Sequence, residues 1–146
     1  MLRFDGFNVI MTRTGDTGTE DDESAAIAKR KKSDLSNRLQ IMKDNPDAVF
    51  VSIHLNKFTT SAASGAQVFY TKNYEQARAL AESLQSNIKN LIQPQNTRVA
   101  KQGTDSTYLL KNAVVPAVIV ECGFLSNKAE LEKLKQDDYQ SQMAFA

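Results

Sequence analysis

Apolar positions recur along this chain at two distinct periods. Ala77, Leu80, Ala81, Leu84, Ile88 and Leu91 fall at helical spacing, and their stripe predicts a helix that Pro94 ends. Leu35, Leu39 and Met42 share one face of an earlier predicted helix, with Ser33 or Asp34 as its cap and Asn45-Pro46 as its stop. Short apolar runs of strand composition lie at residues 7–12, 48–53, 65–70 and 117–120, while residues 107–110 read as either a short strand or a helical turn. Ser126 or Asn127 opens a further helix, with Glu130 placed to complete a capping box, and residues 139–146 keep helical spacing. Between Thr14 and Lys32 the chain is polar, holds Gly15 and Gly18, and reads as a surface loop.

Strands that alternate with helices, some of them apolar throughout, predict an α/β domain: a mostly parallel sheet with helices on both faces. A length of 146 residues suits one such domain. Apolar and charged fractions of 41% and 24% are those of a globular chain. With a formal net charge of +1, nothing calls for a polyanion, and the basic run Lys29-Arg30-Lys31-Lys32 follows the acidic cluster Glu20-Asp21-Asp22-Glu23. Nucleic acid is therefore not an expected partner, and no stretch reaches the length of a membrane span. A single cysteine, Cys122, excludes an internal disulfide framework and a multi-cysteine zinc finger.

The ends have a character of their own. Gly6 stands where a left-handed residue would close a helix running through the first residues, and the last residues stop without a glycine, a proline or a basic turn. Both ends read as those of a segment cut from a longer domain.

Two strand ends carry the candidate chemistry. Phe50-Val51-Ser52-Ile53 runs into His54, the only histidine, and Val118-Ile119-Val120 runs into Glu121. In open α/β sheets ligands bind beyond the carboxyl ends of the strands, so these two side chains would share a crevice if their strands are parallel and close. An imidazole is a good zinc ligand, and a catalytic zinc takes three protein ligands and a water. A carboxylate beside that water can take its proton and pass it to a leaving amine. Each residue also has a plainer reading. His54 as a hydrogen-bonded structural histidine, Glu121 as a solvated acid or a partner of Arg13 or Arg38, and Cys122 as a small buried apolar residue all remain open, as does a Cys122 thiol nucleophile.

Read together, these segments resemble the zinc-dependent N-acetylmuramoyl-L-alanine amidases of bacterial cell walls, the amidase type 3 family. Val9-Ile10-Met11-Thr12-Arg13 with Asp16 is similar to the family's strand and Thr-Arg-x-x-Asp. Leu35-Ser36-Asn37-Arg38 is similar to its Leu-x-x-Arg helix, and Ser52-Ile53-His54-Leu55-Asn56 to its Ser-Ile-His-x-Asn strand end. Gly65-Ala66-Gln67-Val68-Phe69-Tyr70 is similar to its next strand. Pro116-Ala117 through Glu121-Cys122-Gly123-Phe124-Leu125-Ser126-Asn127 is similar to its Pro-Ala-x-x-x-Glu-x-Gly-Phe-x-Ser-Asn segment.

The resemblance implies cleavage of the amide between N-acetylmuramic acid and the L-alanine of the stem peptide, with peptidoglycan as substrate and zinc as cofactor. On it, His54 is one of the zinc ligands, Glu121 is the catalytic acid–base, and Asn56, Arg13 and Arg38 occupy supporting positions. The subgroup implied acts on spore cortex, outside the cytoplasmic membrane.

One departure stands out. The family's other two zinc ligands, a histidine in a Gly-His-Gly-Gly turn and a glutamate on the following helix, have no counterpart here. Residues 1–146 are thus expected to form a single, incomplete amidase catalytic domain without the family's first strand and helix, inactive or nearly so by itself. An exposed sheet edge that invites self-association is also expected. The alternative is a non-catalytic module of the same fold that binds cell wall or a partner.

Overall fold

The computed structural model describes residues 2–146. Its elements are α1 (Ile27–Asp44), β1 (Phe50–Asn56), β2 (Gln67–Tyr70), α2 (Glu75–Leu91), β3 (Lys101–Gln102), α3 (Tyr108–Asn112), β4 (Ala117–Phe124), α4 (Lys128–Leu134) and α5 (Asp137–Phe145). One four-stranded sheet has the order β1-β4-β2-β3. β1 runs parallel to β4 and β2 parallel to β3, while β2 and β4 are antiparallel. The sheet is mixed and mostly parallel, as the alternation of elements predicts.

Helices cover both faces. Val68, Val118, Val120 and Cys122 pack under Ala81 and Ile88 of α2, with Leu134, Tyr139 and Met143 alongside. On the opposite face Ala117 and Ile119 meet Leu109 and Leu110 of α3 and Met42, Leu39 and Leu35 of α1. β4 is covered on both sides, which is why its sequence is almost continuously apolar. Within α2 the buried Gln85 breaks the apolar stripe for a reason: its Oε1 accepts from the Val68 amide at 2.9 Å and its Nε2 donates to the Ala66 carbonyl. It thereby satisfies the buried Val68 amide of β2 and shares the Ala66 carbonyl with Asn96 Nδ2.

Three local expectations need correction. Residues 7–12 form no strand, because no neighbouring strand lies beside them to supply a hydrogen-bond ladder. α1 starts at Ile27, so Ser33 and Asp34 lie inside the helix and do not cap it. The polar run 26–32 is rich in Ala, Lys and Arg, good helix formers, and its polarity marks an exposed helical face. Residues 107–110 resolve as the start of α3.

Gly6 does adopt the left-handed conformation, at φ 89°. The Phe7 amide donates to the Leu2 carbonyl and the Gly6 amide to the Arg3 carbonyl, but residues 2–6 form a turn and not the expected helix.

β1 lies at the sheet edge. Its Val51, Ile53 and Leu55 point away from the α1 side and are 44%, 75% and 47% exposed, so an apolar row and an unpaired backbone edge face outward together.

Candidate active site

β1 and β4 pair in parallel with Ile53 opposite Val120 and His54 opposite Glu121. Directly opposed residues of a ladder point to the same face, so the imidazole and the carboxyl stand side by side on neighbouring strands, whose usual spacing is about 4.8 Å. Both lie near the carboxyl end of their strands, although each strand runs on, β1 to Asn56 and β4 to Phe124. The juxtaposition needed for shared chemistry is present.

Their environments differ. His54 is exposed, whereas Glu121 is half-buried and its Oε2 is a buried acceptor with no hydrogen-bond partner. Burial pushes the Glu121 carboxyl above its ordinary value, and the adjacent His54 pulls it part of the way back. An acid held above its normal range, with one oxygen uncommitted, is suited to take a proton and later return it. The neighbouring Cys122 is not a reactive thiol. Burial, and then the Glu121 charge, push its thiol up to about 11, and its Sγ donates to the Val120 carbonyl.

Arg38 is engaged with α1. Arg38 forks onto Asp34 at 2.9 and 3.0 Å and donates to Thr12 Oγ1. Burial raises the Asp34 carboxyl, but the Arg38 guanidinium and two bonds from Thr19 outweigh it and hold the group at about 2. This cluster fastens the chain before α1 to the helix. Arg13 is exposed and borders a shallow hollow of about 340 Å³ with Arg30, Lys31 and Arg38. Among the described residues no ion pair joins Glu121 to either arginine.

Asn56 follows a bulge in the β1–β4 ladder and pairs with Phe124. Its carbonyl accepts from the Leu125 amide at 2.7 Å, and its Oδ1 accepts from the Lys57 amide. Asn56 therefore fixes how both strands leave the site.

Just beyond, Asn127 caps α4 as expected, its Oδ1 accepting from the Ala129 and Glu130 amides. Glu130 does not close the capping box. Its Oε2 instead accepts from the Phe124 amide at 2.8 Å and its Oε1 from the Gly65 amide at 2.7 Å, tying the end of β4 to the approach of β2. Gly65 sits there at φ 89°, where a Cβ would also lie 2.7 Å from Asn96 Oδ1.

An α/β sheet that carries an imidazole and a half-buried carboxyl side by side at its strand ends has the layout of a hydrolytic enzyme. The chain belongs to the N-acetylmuramoyl-L-alanine amidase family, the type 3 amidases, whose family model matches residues 1–146. It is 33% identical over 143 residues to the germination-specific N-acetylmuramoyl-L-alanine amidase of Bacillus subtilis, covering 98% of this chain and 60% of that protein. The chain thus spans about three fifths of the length of this curated relative. The CwlD amidase of Clostridioides difficile, solved in complex with the GerS lipoprotein, superposes with a TM-score of 0.92 at 35% identity, over 99% of this chain and 73% of CwlD. An N-acetylmuramoyl-L-alanine amidase of Clostridium difficile 630 aligns with a TM-score of 0.68 at 28% identity, over 75% of this chain and 59% of that one.

The family is generally zinc-dependent. Among the described residues no group of three or more His, Cys, Asp or Glu is placed to hold a metal ion. His54 with Glu121 supplies one imidazole and one carboxyl, which does not fit a three-ligand catalytic zinc site.

Among the described residues no helix is long and apolar enough to cross a membrane.

Proposed function

We propose that residues 1–146 act as the catalytic domain of a peptidoglycan hydrolase that cleaves the amide between N-acetylmuramic acid and the L-alanine of the stem peptide. The observation that carries this reading is the pairing of His54 with a Glu121 carboxyl whose Oε2 lacks any donor, in a chain of the amidase family. Glu121 takes a proton from the water that attacks the amide carbonyl. When the C–N bond breaks, it delivers that proton to the departing alanine nitrogen, leaving a lactyl carboxylic acid and a free amine. The imidazole of His54 is the one ligand these residues offer to a zinc ion. The place of action that suits this chemistry is outside the cytoplasmic membrane, in cell wall or spore cortex.

One histidine cannot hold a catalytic zinc alone, so this chain by itself is expected to retain zinc poorly and to release peptide from muropeptides slowly. Metal content by mass spectrometry together with muropeptide turnover checks this. Stoichiometric zinc with turnover typical of enzymes would overturn it.

The lack of a three-ligand group among the described residues favours one other reading, a wall-binding module of the same fold without catalysis. Tight muropeptide binding with no cleavage at saturating zinc would select that reading.

The open edge of β1, with Ile53 largely exposed, also favours pairing with a second copy of this chain. Light scattering is expected to show a mass that rises with concentration, and a clean monomer at high concentration would contradict it.

A further inference from the structure

Across the β2–β4 ladder Gln67 stands opposite Glu121, so His54, Glu121 and Gln67 form a row over three strands on one face of the sheet. Gln67 is buried and fully engaged. Its Nε2 donates to the Val99 carbonyl at 2.9 Å, and its Oε1 accepts from Arg98 Nη1 at 2.9 Å. Arg98 is held from three further sides. Its Nε donates to the Ser64 carbonyl at 2.7 Å, its guanidinium lies 4.7 Å from the centre of the Phe124 ring, and its backbone amide donates to Asn96 Oδ1.

Yet this fixed, partly buried cation has no carboxylate partner among the described residues, whereas Arg30, Arg38 and Arg78 each have one. A guanidinium carries five N–H donors, and the bonds to Ser64 and Gln67 use only two. Tying a loop to the sheet requires no positive charge. Holding a charge rigid at the end of the row, without a counter-ion, is what recognition of an anionic group requires.

On the amidase reading given above, we propose that Arg98 binds a carboxylate on the peptide side of the scissile amide, with Gln67 as the residue that positions it. Arg98 reaches the row beside Gln67, one to two strand spacings from Glu121, roughly 5–10 Å. An extended peptide covers about 3.3–3.6 Å per residue, so the carboxylate engaged belongs about two residues from the bond that is cut. The free Nη donors present the planar fork that a carboxylate accepts in bidentate fashion.

The test compares binding of two synthetic ligands to the 146-residue chain by calorimetry: a muramoyl tripeptide with free carboxylates and the same compound with its carboxyls amidated. The wild type is expected to prefer the carboxylate form by about tenfold or more. Arg98→Gln should erase the preference, and Arg98→Lys should keep part of it, because it retains the charge and loses the fork. A role confined to structure would weaken both ligands equally in Arg98→Gln, and that result overturns the proposal. So does a wild type that binds the two forms alike, or binds neither, a comparison that needs no variant to fold. The two readings separate cleanly. Cleavage that depends on Glu121 without carboxylate preference sinks Arg98 and leaves the amidase. A preference abolished in Arg98→Gln without cleavage at saturating zinc does the reverse.

Discussion

Glu121→Gln is expected to abolish the slow muropeptide turnover that this chain retains at saturating zinc, since loss of a general acid–base costs about 10²–10⁴-fold, while making the fold more resistant to denaturant at neutral pH. The first effect follows, on the proposed amidase function, from removing the group that would carry the proton between water and leaving amine. The second follows from the environment of that group. Its Oε2 is buried with no donor, and burial, only partly offset by His54, raises the carboxyl above its ordinary value.

The sign of the pH dependence follows directly. An acid whose value is raised in the folded state contributes stability that is complete below its unfolded value. That contribution is lost as pH rises through the folded value. The wild type should therefore lose stability with rising pH above the ordinary carboxylate value of 4.5, and the glutamine variant should lack that component of the slope. Urea midpoints for both proteins across about pH 4 to 8, set beside product-peptide release, measure the two effects together. A variant that unfolds more easily than the wild type at neutral pH would mean Glu121 is paired or solvated and not held as a poised acid. Opposite signs in stability and activity are what separate a catalytic carboxyl from a structural one.

Glu130→Ala is expected to give the largest loss of stability, on the order of 3 kcal/mol. One carboxylate accepts from both the Gly65 amide and the Phe124 amide, and hydrogen bonds to a charged group contribute about 1.5–3 kcal/mol each. Alanine removes both acceptors and leaves two part-buried amides unsatisfied. Glu130→Gln should cost about half as much, since its single carbonyl oxygen can serve one amide while its NH2 faces the other. The consequences extend to the site. Phe124 is three residues beyond Glu121 on β4, and its ring lies under Arg98. Loosening that strand end should weaken substrate binding as well as the fold. Urea unfolding of the two variants provides the check, and a loss under about 1 kcal/mol for the alanine variant would show that water replaces the clamp without cost.

Much of this was legible in one dimension because it depends on local periodicity. The stripe of α2 and the unbroken apolar run of β4 announce their elements, and Asn45-Pro46 marks where α1 stops. Gly6 announces its backbone conformation, since few other residues accept φ near 89°. The failures share one cause. Residues 7–12 have strand composition, but a strand exists only where a neighbour supplies a ladder, and composition carries no information about neighbours. Residues 29–32 are all basic and read as loop from composition alone. With so many helix formers, a polar run becomes helix once the following turns are anchored by packing at Leu35, Leu39 and Met42.

The candidate site divides in the same way. The sequence by itself determined which residue types end the two strands, His54 and Glu121, and through its motifs the family to which the chain belongs. Only the tertiary structure decided that these residues are opposed across one parallel ladder, that Arg38 is committed to Asp34, that Glu130 is a clamp, and that Gln67 and Arg98 extend the row. The physical reason is that chemistry at a strand end is a property of the residue, whereas its register against strands distant in the chain is set by packing over the whole sheet. No local pattern encodes that register.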